Sequence, residues 1–422
     1  MKLATLLPAL AGAAASLAAA QGEIAKPKLP LQTSSRWILD ADGARVKMRC
    51  INWAGHGEAN VPEGLHKASV ASIADFVAAQ GFNCVRLTYS IDHALDPHVS
   101  VQDSFRHAAE YSGLQVETLE GLYGQVAQRN PDLAAKTRQD VFAAVIAALW
   151  ERGVMTLLDN HVSKASWCCN LTDGNGWWDK AAGYNDLNSR YFNTANWLDG
   201  LEAMATWAKA QPGVAAMSLR NEIRPFLLQG FNGPNDDWYD FVTQGAERVH
   251  AANGDVLIVV GGSQSATDLS FIRLRDLDFS KWAGKHVWEM HAYSFTVTFP
   301  RPFGSCDVVK TEYGLFDGFL LEQGKSFTAP LMVTEFGVGL QGGPNHGGIS
   351  NEDNEYLECL VDWMKGNDAD WALWALQGTY YVRQGQAEYD EGWGLMNRDW
   401  NGVRNDQFLP VIADLFKMTQ GP

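Results

Sequence analysis

Two glutamates close short apolar runs in this chain of 422 residues. Glu222 ends Ser218-Leu219-Arg220-Asn221-Glu222, and Glu335 lies in Met332-Val333-Thr334-Glu335-Phe336-Gly337. Each run reads as a buried parallel strand. A carboxylate at the end of such a strand is costly to bury unless it is paired or reactive. Two of them, on separate strands of one repeating pattern, point to acid/base and nucleophilic chemistry at a shared mouth.

The elements that must position them follow from periodicity. Apolar strand candidates lie at 46–53, 83–89, 154–160, 214–221, 256–262, 286–293, 330–336 and 371–377. Amphipathic segments at 69–80, 137–152, 194–210, 236–252 and 352–366 alternate with them. The stretches 262–286 and 313–324 are weakly marked, and a last helical stretch covers 409–418. Eight strands, each followed by a helix or helix-like segment, predict an α/β fold: a single (β/α)8 TIM barrel. Long loops are expected after strands 2, 3 and 8, at 91–135, 162–193 and 378–408. The competing architecture, a doubly wound open sheet, usually carries a Gly-rich phosphate turn after its first strand, and the sequence has none. Gly81, Gly153 and Pro212-Gly213 punctuate helix ends just before strands.

In a barrel the loops after the strands line the active face. The 162–193 loop carries Trp167, Trp177 and Trp178, and the last loop carries Trp393 and Trp400. These rings serve either as ligand platforms or as pins for oversized loops. Sixteen tryptophans in all favour flat apolar surfaces at a binding site. A net charge of −16 argues against nucleic-acid and anionic-membrane partners. A hydrophobic content of 46% describes a globular protein with a large core.

Residues 1–20 read as a signal peptide: Lys2, an apolar stretch from Leu3 to Leu17, then Ala18-Ala19-Ala20 before Gln21. Residues 21–422 are then the catalytic barrel domain of a secreted, extracellular protein. Secretion implies an oxidising compartment, where the six cysteines (50, 84, 168, 169, 306 and 359) can form disulfides. Adjacent Cys168 and Cys169 are expected to take different partners, because bridging neighbours strains the link. Asn170-Leu171-Thr172 is a glycosylation sequon. No Cys-x2-Cys pair occurs, and His56, His161 and His291 follow no ligand spacing, so no metal or cofactor is expected.

The predicted strand ends gather further polar residues. These are Arg86, Asp159-Asn160-His161, Asn221, His291, Tyr293, Trp374 and Gln377. Two carboxylates among Arg, His, Tyr and Trp suit glycoside hydrolysis. One carboxyl must bring a proton to the leaving oxygen, and the other must be ionised to attack the anomeric carbon. Arg86 and a hydrogen bond from Tyr293 would favour the ionised nucleophile. Asn221 is placed to bond a sugar 2-hydroxyl, and Trp374 to form an apolar floor for the ring.

These residues carry a resemblance. Asn83-Cys84-Val85-Arg86-Leu87, Asp159-Asn160-His161, Leu219-Arg220-Asn221-Glu222, His291-Ala292-Tyr293, Thr334-Glu335-Phe336-Gly337 and Trp374-Ala375-Leu376 fall in order on successive strands. Over about residues 36–420 the chain resembles glycoside hydrolase family 5, the cellulase-like retaining (β/α)8 enzymes. The resemblance implies Glu222 as general acid/base and Glu335 as nucleophile. It implies Arg86, His161, Asn221, His291, Tyr293 and Trp374 as the surrounding polar and stacking shell. One departure stands out: many members place proline directly after the acid/base glutamate, whereas Ile223-Arg224-Pro225 follows here. The function expected is a secreted retaining β-glycoside hydrolase acting as a monomer on a carbohydrate, of endo-β-1,4-glucanase type. The competing readings are an exo-acting β-glycosidase or transglycosylase on a smaller glycoside, and a carbohydrate-binding inactive barrel. Retention of both glutamates argues against the last.

Overall fold

The apolar runs become eight parallel strands: β1 (Arg49–Trp53), β2 (Cys84–Ser90), β3 (Met155–Val162), β4 (Val214–Ser218), β5 (Leu257–Gly261), β6 (His286–Ala292), β7 (Leu331–Phe336) and β8 (Asp370–Leu373). They pair in sequence order, and β8 pairs with both β7 and β1, so the sheet closes into a barrel without a free edge. The computed structural model describes residues 26–176, 186–224, 236–295, 305–341 and 348–422. The signal-peptide stretch 1–20, Trp177, Trp178 and Pro225 lie outside the described residues. Strands β2, β3, β6 and β7 are buried at every position, as expected where one face fills a barrel and the other packs on helices.

The helices begin where side-chain caps allow. Ser69, Thr137, Asn193 and Ser350 each accept a backbone N–H at the start of Val70–Ala79, Arg138–Glu151, Thr194–Ala208 and Asn351–Asn367. Asp140 completes a capping box with Thr137. Gly81, Gly153 and Gly213 turn the chain back toward the next strand at φ of +87°, +77° and +88°, a region open to glycine without strain.

The connections depart from the sequence expectation in several places. The 91–135 segment is not a loop: it folds into helices Ile91–Leu95, Val101–Ser112 and Val116–Arg129 and a 3₁₀ turn. Their buried stripe (Val101, Phe105, Ala108; Leu119, Leu122, Val126) packs onto the main core. The 378–408 segment contains the hairpin Thr379–Arg383/Gln386–Asp390. The weakly marked stretch 262–286 holds one short helix and two 3₁₀ turns, while helix Cys306–Phe316 starts earlier than expected. The fourth strand stops at Ser218, four residues before Glu222.

The barrel interior has two layers. The lower one is apolar: Cys50, Cys84, Met155, Leu157, Leu257, Val259, Val287, Met332 and Ala372 belong to one buried cluster. Leu31 and Ile38, from the N-terminal hairpin region, join this cluster and seal the base. The upper layer is polar. Since side chains alternate along a strand, Cys84 and Arg86 share a face, as do Leu157 and Asp159, and Val287 and Glu289.

Three disulfides use all six cysteines. Cys50–Cys84 joins register partners on β1 and β2. Cys306–Cys359 joins helices Cys306–Phe316 and Asn351–Asn367. Cys168 and Cys169 bond to each other, contrary to the expectation of different partners. The fold explains this: the other four cysteines already sit beside one another in pairs, and only Cys168 and Cys169 lie on the upper loop. No helix among the described residues is long and apolar enough to cross a membrane.

Candidate active site

Arg86 is the hub of the upper layer. Its Nη1 donates to Glu335 Oε1 at 2.7 Å and to Asn52 Oδ1 at 2.9 Å. Its Nη2 donates to Asn221 Oδ1 at 2.9 Å and lies 2.9 Å from Asp159 Oδ1 and 3.5 Å from Glu289 Oε1. Burial opposes the charge, but Asp159, Glu289 and Glu335 outweigh it and hold the guanidinium charged.

Glu335 has both oxygens engaged, Oε1 by Arg86 and Oε2 by the Tyr293 hydroxyl at 3.0 Å. Its carboxyl is raised to about 6: burial pushes it up most, His291 and Arg86 pull it down, and Glu222 adds to the rise. Burial, then Glu335 and Glu222, keep Tyr293 a neutral phenol and therefore a donor.

Glu222 stands in a left-handed turn, φ +44°, a conformation that costs a residue with a side chain and recurs at active sites. Its neighbours fix the turn. Asn221 N–H donates to Asn160 O at 2.8 Å, Ser265 N–H to Ile223 O at 3.1 Å, and Arg224 Nη1 to Glu222 O at 3.1 Å. Glu222 Oε1 lies 3.0 Å from His291 Nδ1. His291 reaches Glu289 with its other nitrogen, at an ion-pair distance of 3.4 Å. Burial alone would depress this imidazole, but Glu335, Glu222 and Glu289 raise it to about 10.

His161 donates from Nδ1 to Asp159 Oδ2 at 2.6 Å, since a carboxylate only accepts. Burial and Arg86 hold it well below the ordinary histidine value. It is a neutral ring with Nε2 free to accept from Asn221 Nδ2 at 3.3 Å. His56 stacks on it at 4.0 Å and Trp374 at 5.5 Å.

The structure thus brings together Glu222 and Glu335 with Arg86, Asp159, His161, Asn221, His291, Tyr293 and Trp374 from the predicted strand ends. It adds Glu289, which takes a hydrogen bond from Ser218 Oγ at 2.9 Å, and Asn52 as a partner of Arg86. A charge inside the apolar run 286–292 was the available signal for Glu289. Gln377 lies apart from this group and bonds Tyr380. Above the carboxylates opens a cavity of about 250 Å³, lined also by Trp167, Cys168, Cys169, Arg383, Glu391 and Trp393, with the Arg383 guanidinium 4.3 Å over the Trp167 ring.

Two groups among the described residues present possible metal ligands within 4.8 Å of one another: Glu222/His291/Glu335 and His161/Cys168/Cys169. Neither suits a metal as it stands. In the first, His291 Nδ1 is hydrogen-bonded to Glu222 and both Glu335 oxygens are held by Arg86 and Tyr293; in the second, both sulfurs are tied in a disulfide.

The comparisons agree with the geometry. The model for Cellulase (glycosyl hydrolase family 5) matches residues 39–379. A glycosyl hydrolase 5 family protein of Chamaecyparis obtusa is 38% identical over 93% of this chain and 67% of its own length. An endoglucanase of Paenibacillus polymyxa is 23% identical over 92% of this chain and 88% of its own. Among solved structures, the hyperthermophilic endocellulase of Pyrococcus horikoshii superposes with a TM-score of 0.70 at 17% identity. It covers 93% of this chain and 100% of that one. The catalytic domain of the major endoglucanase of Xanthomonas campestris pv. campestris gives 0.68 at 20% identity, over 92% and 99%. With eight converging strand ends, a buried carboxylate pair and these matches together, the chain belongs to glycosyl hydrolase family 5 and is a glycoside hydrolase.

Proposed function

We propose that the protein is a secreted retaining β-glycosidase in which Glu335 is the nucleophile and Glu222 the general acid/base. The observation that carries this is the spacing of the pair: a carboxylate oxygen of Glu222 and one of Glu335 lie within 4.8 Å. Retaining enzymes hold their carboxyls about 5 Å apart, whereas inverting ones leave room for a water at about 6.5–9.5 Å. The roles divide by partners. Glu335, fixed by Arg86 and Tyr293 on both oxygens, is shaped to act as an anion, while Glu222 keeps an oxygen clear of His291 for the leaving group.

In the first step Glu222 gives its proton to the glycosidic oxygen, that C–O bond breaks, and Glu335 bonds the anomeric carbon. Glu222, now ionised, then takes a proton from water as its oxygen attacks the same carbon, and Glu335 leaves with its charge restored. Asn221 would bond the 2-hydroxyl and Trp374 would underlie the ring.

A β-1,4-glucan substrate is supported by the endoglucanase and endocellulase among the relatives. One observation favours a smaller glycoside: the Arg383 guanidinium lies 4.3 Å over the Trp167 ring, and both line the cavity of about 250 Å³. Product analysis on cello-oligosaccharides and aryl β-glycosides separates endo from exo cleavage. NMR of early product tests the mechanism: the β-anomer is expected, and an α-product excludes double displacement.

A further inference from the structure

Cys168 and Cys169 stand on the cavity wall directly beside the amide of Asn221. Three neighbours hold that amide. Arg86 Nη2 donates to its Oδ1, which fixes the way the group faces. Its Nδ2 then meets His161 Nε2, an acceptor because Nδ1 is committed to Asp159. An amide nitrogen carries two hydrogens. Among the described residues the second finds only sulfur, Cys169 Sγ at 3.6 Å and Cys168 Sγ at 3.8 Å. Disulfide sulfur is a weak acceptor with no hydrogen to donate and no charge, so it holds this N–H in place without satisfying it.

The loop carrying the disulfide is tied to the turn that presents Glu222. Arg224, fully buried, donates to Glu222 O and, through Nε and Nη2, to Asn170 O at 3.2 and 3.1 Å, and it pairs with Asp173. The sulfurs, Asn221 and Glu222 therefore share one frame.

We infer that the Cys168–Cys169 disulfide is a substrate-positioning element, an apolar wall that keeps one Asn221 amide hydrogen available for the sugar 2-hydroxyl. This rests on the β-glycosidase reading above. When the sugar enters, the weak N–H···S contact is exchanged for N–H···O, and little is lost in the exchange. A hydroxyl at the same place would accept that hydrogen strongly and compete with the substrate.

The test uses 2,4-dinitrophenyl β-D-glucoside and its 2-deoxy analogue with the wild type and the double variant Cys168→Ser/Cys169→Ser. The variant is expected to lose about tenfold in kcat/KM on the glucoside, the worth of one hydrogen bond, and less than about twofold on the 2-deoxy substrate. Thermal melting checks that the variant is folded. As a second arm, the wild type is reduced with a phosphine, the opened bridge is identified by alkylation and mass spectrometry, and reoxidation is expected to restore the selectivity. Equal losses on both substrates, or none on either, overturn the proposal alone. A wild type that turns over neither aryl glucoside overturns the proposal as stated for this substrate, and one that cleaves no cello-oligosaccharide either overturns the glycosidase reading with it.

Discussion

The lower and upper layers of the barrel interior grow from the same rows of side chains. On β6 the row runs Val287, Glu289, His291; on β3, Leu157, Asp159, His161; on β2, Cys84, Arg86. Two residues along each strand, a dry apolar cluster becomes a lattice of carboxylates and cations in which Arg86 alone faces Asn52, Asp159, Asn221, Glu289 and Glu335. Both layers are buried, so burial does not distinguish them. The lower layer removes apolar surface from water and stabilises the fold. The upper one contributes little net stability, because desolvating its charges costs about as much as pairing them returns. What the upper layer gains is pre-set charge positions in a place that excludes water.

This contrast can be broken experimentally. The largest effect is expected at the carboxylates. Glu335→Ala should lower kcat by a factor on the order of 10⁴ or more, with azide restoring turnover of an activated aryl β-glycoside, while the fold persists by circular dichroism. Near-normal activity would remove Glu335 from the chemistry. Next is Arg86→Lys. One ammonium cannot reproduce a fork that meets Glu335, Asn52 and Asn221 together, and the misplacement should cost about 10²-fold in kcat/KM. A loss below about threefold would show that charge alone suffices.

A pH profile gives a smaller, graded effect. Glu335 must be ionised to attack, and its carboxyl is raised to about 6. As pH falls through that value the nucleophile is protonated, so kcat/KM should drop about tenfold per unit below it. A flat profile down to pH 4 would contradict the raised carboxyl. The smallest effect on activity belongs to the lower layer. Met332→Ala should cost about 2–5 kcal/mol of stability in denaturant unfolding yet leave kcat/KM and the acid inflection unchanged. A shifted inflection would mean that the two layers are coupled.

The barrel and its mouth were legible in the sequence for a physical reason. Buried parallel strands are apolar on both faces, so charged residues at their ends stand out: Glu335 and His291 did, whereas Arg86, read as a strand-end residue, is the third of the seven residues of β2. The same logic hid Glu289, which lies within a run that otherwise reads as core. The helices of 91–135 were missed because Gly121 and Gly124 dilute the helical signal of Val116–Arg129, and because Ser104 and alanines occupy much of the buried stripe of Val101–Ser112. The partner of Cys168 could not be read from adjacency: it follows from where the other four sulfurs lie, which is a property of the folded barrel.

The Cys50–Cys84 bridge makes the first β-helix-β stretch a covalent ring spanning 34 residues in sequence. A protease that cuts any single peptide bond inside that ring, the exposed surface of Val70–Ala79 included, does not divide the chain. The nicked molecule should migrate as one species until it is reduced and then separate into two. The segment that delivers Arg86 to the site therefore stays joined to the start of the barrel even after its backbone is broken.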